Sequence, residues 1–239
     1  MKKVILAAAV CAAFATSVHA EEAKPANEVS FNAAVTSDYR YRGISQTRLK
    51  PALQGGADYV NNPTGFYLGA WASTIKWTKD AGGEGSVELD VYAGKRGQIS
   101  EDFSYDVGVL RYQYEYAPAN TTEIYGQLGY GPATLKYSHS TSNLFGFADS
   151  ENSGYLDFSA NFDIGNGFIA NLHAGRQSVR HNAAAEYTDW KIGATRDLGF
   201  ATLAAAVIGT NADKSAYASP ANGKFLGKTA LQLTLSKTF

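Results

Sequence analysis

The last eleven residues, 229–239, read TALQLTLSKTF. In an extended chain Leu231, Leu233, Leu235 and Phe239 share one face, and Gln232, Thr234, Ser236 and Thr238 share the other. Successive strand side chains point to opposite faces, so one face of such a segment can meet hydrocarbon while the other meets water.

The same period-two pattern extends back through the chain. Val29, Phe31, Ala33 and Val35 lead to Tyr39 and Tyr41, opposite Ser30, Asn32, Thr36, Asp38, Arg40 and Arg42. Val87, Leu89 and Val91 alternate with Glu88, Asp90 and Tyr92. Ile124 and Leu128 oppose Glu123, Tyr125 and Gln127, and Leu156, Phe158 and Phe162 oppose Asp157, Ser159 and Asp163. Leu172 and Ala174 oppose His173, and Trp190 and Ile192 oppose Asp189 and Lys191. Residues 66–77 and 200–209 are apolar on both faces, and in 103–116 the apolar phase slips near Val109–Leu110, as at a bulge. Adding 52–60 and 133–141 gives twelve strands.

The connections sort independently into two sets. One set is long (43–50, 78–85, 117–121, 143–153, 178–185, 211–227) and the other short (61–65, 97–102, 131–132, 165–167, 197–199). Short periplasmic turns and longer outer loops characterise outer-membrane barrels. A soluble β-sandwich also has short alternating strands. Three features favour the membrane. The strands reach about 10 residues, the length of a tilted bilayer crossing. Aromatic residues (Tyr39, Tyr41, Trp77, Tyr116, Tyr130, Phe239) lie near strand ends, where interfacial girdles belong. The polar face also carries too many charges for a dry core.

The N-terminus, MKKVILAAAVCAAFATSVHA, has the three parts of a secretory leader. Lys2 and Lys3 precede twelve apolar residues from Val4 to Ala15, and Val18 and Ala20 set up cleavage after Ala20. Cys11, the sole cysteine, lies within the leader, so disulfides, thiolate nucleophiles and Cys-bound metals are excluded from the mature chain. Cleavage removes two of the 21 basic residues and none of the 22 acidic ones, leaving a formal charge of −3. No broad basic surface for nucleic acid is expected. Residues 21–28 read as a short polar periplasmic lead and 29–239 as the barrel.

The C-terminal alternation ending in Phe239 resembles the assembly signal of bacterial outer-membrane proteins, which implies the barrel-assembly machinery as a partner. More specific is TSDYRYRGISQT, Thr36 to Thr47, which resembles the opening motif of the TorF family. That resemblance implies an outer-membrane barrel with a proposed porin role, and no catalytic residues.

Candidate chemistry is sparse. Asp38, Arg40 and Arg42 are expected on the polar face at the outer end of the first strand, with Arg48 and Lys50 in the loop beyond. They could form a basic pore mouth or an ion-pair network closing a narrow lumen, with Asp58, Glu88, Asp90, Glu123 and Asp157 as available partners. The mature histidines, His139, His173 and His181, lack HxxxH, HxH or HEXXH spacing, so no metal site is expected. A lipid-acting hydrolase needs a serine paired with a histidine. Ser138 and His139 are strand neighbours on opposite faces, Ser178 lies near His181, and no GxSxG occurs. GKFLGKT, Gly223 to Thr229, has one residue too few for a phosphate loop and precedes a strand.

The sequence therefore predicts an all-β protein. It is a single antiparallel transmembrane β-barrel of about twelve strands in a bacterial outer membrane, both termini periplasmic. Its expected function is passive diffusion of small hydrophilic solutes through a lumen lined by Asp38, Arg40, Arg42, Glu88, Asp90, Glu123, Lys136, Asp157 and Lys191, with no cofactor. The alternatives are a closed structural or surface-interaction barrel and the hydrolase.

Overall fold

A computed structural model describes residues 25–239, so the leader and the first half of the polar lead lie outside the described residues. Twelve strands of 8 to 12 residues form the barrel wall: β1 (Asn27–Thr36), β4 (Ala52–Asn61), β5 (Phe66–Thr74), β6 (Val87–Gln98), β7 (Phe103–Tyr114), β8 (Thr121–Tyr130), β9 (Ala133–Ser140), β10 (Gly154–Gly165), β11 (Phe168–Ser178), β12 (Tyr187–Asp197), β13 (Thr202–Thr210) and β14 (Ala230–Thr238). Each pairs antiparallel with its chain neighbour, and β1 also pairs with β14, which closes the sheet. The seam is sealed past the last strand by mutual backbone hydrogen bonds between Phe31 and Phe239, at 2.8 and 3.1 Å. Closure leaves every wall strand with two partners, the condition for crossing hydrocarbon with strands.

Burial follows the alternation. In β14 Leu231, Leu233 and Leu235 are exposed on the outer surface, while Gln232, Thr234 and Ser236 face the lumen, half-buried. The two segments that read as apolar on both faces resolve in the same way. Leu68 faces out and Trp71 faces in on β5, and Leu203 faces out on β13 while Ile208 is buried facing in. The turn at Asn166–Gly167 places both residues at positive φ, +55° and +76°, as the tightest hairpin connections require.

Three expectations are corrected. The first wall strand ends at Thr36 instead of continuing to Tyr41. No bulge occurs near Val109–Leu110: β7 keeps unbroken register with β6 and β8. Leu110 instead faces inward among lumenal aromatics and Arg111 faces out, its Nη1 donating to Thr122 Oγ1 at 2.8 Å. The register shift lies between Asp163 and Gly165. Finally, of the aromatic residues assigned to girdles, Tyr130 and Phe239 are exposed on the outer surface, whereas Tyr39, Tyr41, Trp77 and Tyr116 pack with the lumenal cluster.

A plugged lumen as the candidate functional site

Between β1 and β4 the chain turns back into the barrel. Residues 40–45, RYRGIS, form a miniature hairpin of β2 (Arg40–Tyr41) and β3 (Ile44–Ser45), pairing Arg40 with Ser45 and Tyr41 with Ile44. Its two-residue turn, Arg42-Gly43, has φ of +46° and +78°, again the tight hairpin geometry. Gly43 is required for space as well. A Cβ there would stand 2.7 Å from Asp189 Cβ on the facing wall and 2.5 Å from Thr210 Cγ2.

Asp38 organises the base of this hairpin. One carboxylate oxygen accepts from Ser45 Oγ at 2.5 Å and Thr47 Oγ1 at 3.1 Å, and the other takes Arg40 Nε at 2.8 Å. Arg40 Nη1 also donates to the backbone oxygens of Gly43 and Lys228. Arg42 spans the lumen from the tip. Its Nη2 donates to Glu123 on β8 at 2.7 and 3.0 Å, its Nη1 donates to Gln177 on β11 at 2.8 Å, and its Cζ lies 4.2 Å from the centre of the Tyr155 ring on β10. Burial works to lower the Arg42 pKa, and the Glu123 carboxylate foremost more than reverses this, so the pKa stands above the ordinary guanidinium value.

Aromatic residues fill the space beside these polar contacts. Tyr39 packs edge-on against Trp71 and donates to Glu88 Oε1 at 3.1 Å. Tyr41 packs edge-on against Tyr112 and Phe145, and its hydroxyl lies 2.5 Å from that of Tyr112. At this level the wall packs closely against the inserted chain: Glu88, Glu123, Tyr112 and Gln177 are each 3% exposed or less. The packing is nevertheless polar, and two carboxylate oxygens of this part of the lumen, Glu88 Oε2 and Asp90 Oδ1, are buried without a hydrogen-bond partner among the described residues. Above the hairpin the outer loops border a partly open cavity of about 350 Å³, whose lining includes Tyr41, Trp77, Phe145, Tyr187 and Tyr217 beside polar and aliphatic residues.

Below the hairpin the lining is again polar. Asp58 accepts from Tyr92, Asp106 accepts from Tyr67, and Lys136 Nζ sits 4.0 Å from the centre of the Tyr125 ring. Lys136 and Lys191 have no carboxylate within 4 Å among the described residues. His173 bridges two acids, with Nδ1 3.2 Å from Asp157 and Nε2 2.8 Å from Asp189. Ser159 Oγ lies 3.3 Å from His173 Nδ1 but donates to Asp157 at 2.7 Å. An imidazolium donating from both nitrogens satisfies both acids and then has no lone pair to accept a serine proton.

The nine lining residues expected from sequence thus divide. Glu88, Asp90, Glu123, Lys136, Asp157 and Lys191 occupy inward positions of the wall, whereas Arg40 and Arg42 belong to the inserted hairpin and Asp38 to the bend that leads into it. Tyr155, Gln177, His173 and Asp189 join the same network. The signal for the hairpin was weak: Gly43 suits one of the two positive-φ positions of the turn, but Arg42 at the other is not a usual two-residue turn residue. Of the other candidates, His139 contacts Asn152 and His181 contacts the Asp149 backbone, both outside the lumen. Among the described residues no group of three or more His, Cys, Asp or Glu could hold a metal ion.

A closed, twelve-stranded antiparallel barrel with an apolar exterior and a charged interior is the architecture of an outer-membrane β-barrel protein. A solved structure described as the NanC porin in a rhombohedral crystal form superposes with a TM-score of 0.57, covering 88% of this chain and 98% of that one at 9% identity. A second, from a study of in-meso crystallization of membrane proteins, gives 0.51 over 88% and 83% of the two chains, also at 9% identity. At such identities the likeness is one of fold. No curated protein matches the sequence. The chain belongs to the Gcw_chp family, bacterial proteins of unknown function, whose pattern matches residues 20–239.

Proposed function

We propose that this protein is a narrow outer-membrane channel for small hydrophilic solutes, held closed by the hairpin at residues 40–45. One observation carries the reading: the hairpin meets a polar wall through Arg42, Glu123 and Gln177, and Arg40 Nη2 within it and Glu88 Oε2 and Asp90 Oδ1 in the same lumen are buried without a hydrogen-bond partner among the described residues. A barrel that needed only to be shut would be more stable with an apolar interior, because buried ion pairs seldom repay their desolvation. Glu88, Asp90, Glu123 and Gln177 on the covered wall are the residues a water-filled lumen needs once the hairpin withdraws. The hairpin supplies the polar part of the obstruction, and wall aromatics such as Trp71 and Tyr112 pack beside it. The likeness of Thr36–Thr47 to the TorF opening motif supports the same reading.

No catalytic role is proposed, since the one lumenal serine–histidine contact is taken up by Asp157 and Asp189. The purely structural reading draws on the aromatic packing of Tyr39, Tyr41 and Tyr112. Solute influx into proteoliposomes separates the two. A variant with residues 40–45 replaced by a short Gly/Ser linker should admit small sugars faster than the parent. A folded variant that admits none would support the structural barrel.

A further inference from the structure

The charges at the outward positions of the described strands are of one sign, although Glu101 and Asp102 are exposed in an adjoining short turn. Alternation places Lys95, Arg111, Arg176, Arg196 and Lys237 outward on the barrel strands, and no aspartate or glutamate occupies an outward strand position. The lumen holds the acids instead, in a protein whose formal charge is only −1. Arg111 and Arg176 lie towards the loop end and have partners, Thr122 and Glu186. Lys95, Arg196 and Lys237 lie at the opposite end, the one with short turns, and have no carboxylate within 4 Å among the described residues.

Each of these three cations stands over an outward-facing phenyl ring. Lys95 Nζ is 5.1 Å from the centre of Phe66, Arg196 Cζ is 4.7 Å from that of Phe168, and Lys237 Nζ is 5.3 Å from that of Phe239. Two of the pairs are direct cross-strand partners, Phe66 with Lys95 and Phe168 with Arg196. The ring holds the charge at the edge of the apolar band, where Leu68, Leu172 and Leu235 continue towards the bilayer centre. A long basic side chain so placed keeps its stem in hydrocarbon and its head at headgroup depth.

We propose that this rim binds anionic phospholipid, with one headgroup phosphate at each of the three cation–phenyl pairs and the acyl chains along the leucine and phenylalanine face. The chemistry required is a phosphodiester with net negative charge and attached chains. A free phosphate has the charge but nothing to lie against the apolar band.

The test is native mass spectrometry of the folded mature chain, released from non-ionic detergent containing equal phosphatidylglycerol and phosphatidylcholine of the same chain length. Phosphatidylglycerol should be retained in preference, by about fivefold per site. The preference should vanish in a Lys95→Gln, Arg196→Gln, Lys237→Gln variant and persist in Arg111→Gln, Arg176→Gln. Excess inorganic phosphate should displace neither lipid. Heat-modifiable gel mobility checks folding, and each single substitution should remove one bound lipid if the triple variant does not fold. Equal retention of the two lipids by the parent, an unchanged preference in the basic-rim variants, or displacement by inorganic phosphate would overturn the proposal.

Discussion

Arg42 Nη2, at the tip of a hairpin inserted from one side of the barrel, lies 2.7 Å from Glu123 Oε2 on the wall. The two side chains are 6% and 2% exposed, so the pair is shielded from water. Removing one member of a buried pair strands the other charge and costs about 3–5 kcal/mol. Arg42→Ala should therefore lower stability by about that amount in urea unfolding from vesicles. Arg42→Ala combined with Glu123→Gln should recover part of the loss, because no carboxylate is left alone. Equal losses in the single and double variants would mean that the pair is not coupled.

Gly43 offers a steric test of the same hairpin. Adding a Cβ brings it within 2.7 Å of Asp189 Cβ and fixes a side chain on a residue at φ +78°. Gly43→Ala should destabilise by more than ~1 kcal/mol, the usual scale where the native φ is unsuited to alanine. Gly223, also at positive φ but with nothing within 4 Å of its Cβ position, provides the comparison. A Gly43→Ala loss no larger than that of Gly223→Ala would place the hairpin tip away from the β12 wall.

Alkaline pH should weaken the plug through Tyr41. Burial raises its phenol well above the ordinary value, against the opposing field of Arg42. Above about pH 10 the unfolded chain loses this proton while the folded chain keeps it. The unfolded state then binds fewer protons, so stability falls as pH rises, by up to about 1.4 kcal/mol per pH unit for one such group. Urea midpoints measured through this range should fall less steeply for Tyr41→Phe than for the parent. Coincident slopes would mean that Tyr41 ionises as freely in the fold as out of it.

The outward face has its own test in Leu233, which is exposed on β14. A Leu233→Arg substitution should cost about 2–4 kcal/mol if this position lies near the bilayer midplane. Thr234→Arg, one residue on and facing the lumen, should cost much less. Similar losses at both positions would contradict the inside–outside assignment.

Much of this fold is legible in the sequence because membrane strands carry a two-sided signal. Lipid demands apolar side chains at every second position of β14, and water tolerates polar ones between them. The gaps add a second signal, long and short in alternation. What escaped was the end of the first strand. Asp38, Arg40 and Arg42 continue the alternation of β1, so periodicity alone runs the strand through them. The turn at Arg42-Gly43 breaks it by reversing the chain, not by changing its composition. Leu110 misled for a related reason. An apolar residue pointing inward violates the rule locally, yet it has partners there in Tyr92 and Tyr112, which the sequence cannot place beside it.

In the proposed channel, ion preference would be set by the charges below the hairpin. Lys136 faces the lumen without a carboxylate within 4 Å among the described residues. Lys136→Glu should shift the reversal potential of the open channel, measured across a salt gradient, towards cations. An unchanged potential would place the permeation path elsewhere.

Single-channel current in planar bilayers, compared between the parent and Arg42→Ala, tests the central claim most directly. The parent should be closed for most of the record. The variant, shown to be folded by heat-modifiable mobility, should give discrete steps with a much larger open fraction. A folded and inserted Arg42→Ala protein that stays as silent as the parent would contradict it, and would leave the hairpin as a permanent part of a closed barrel.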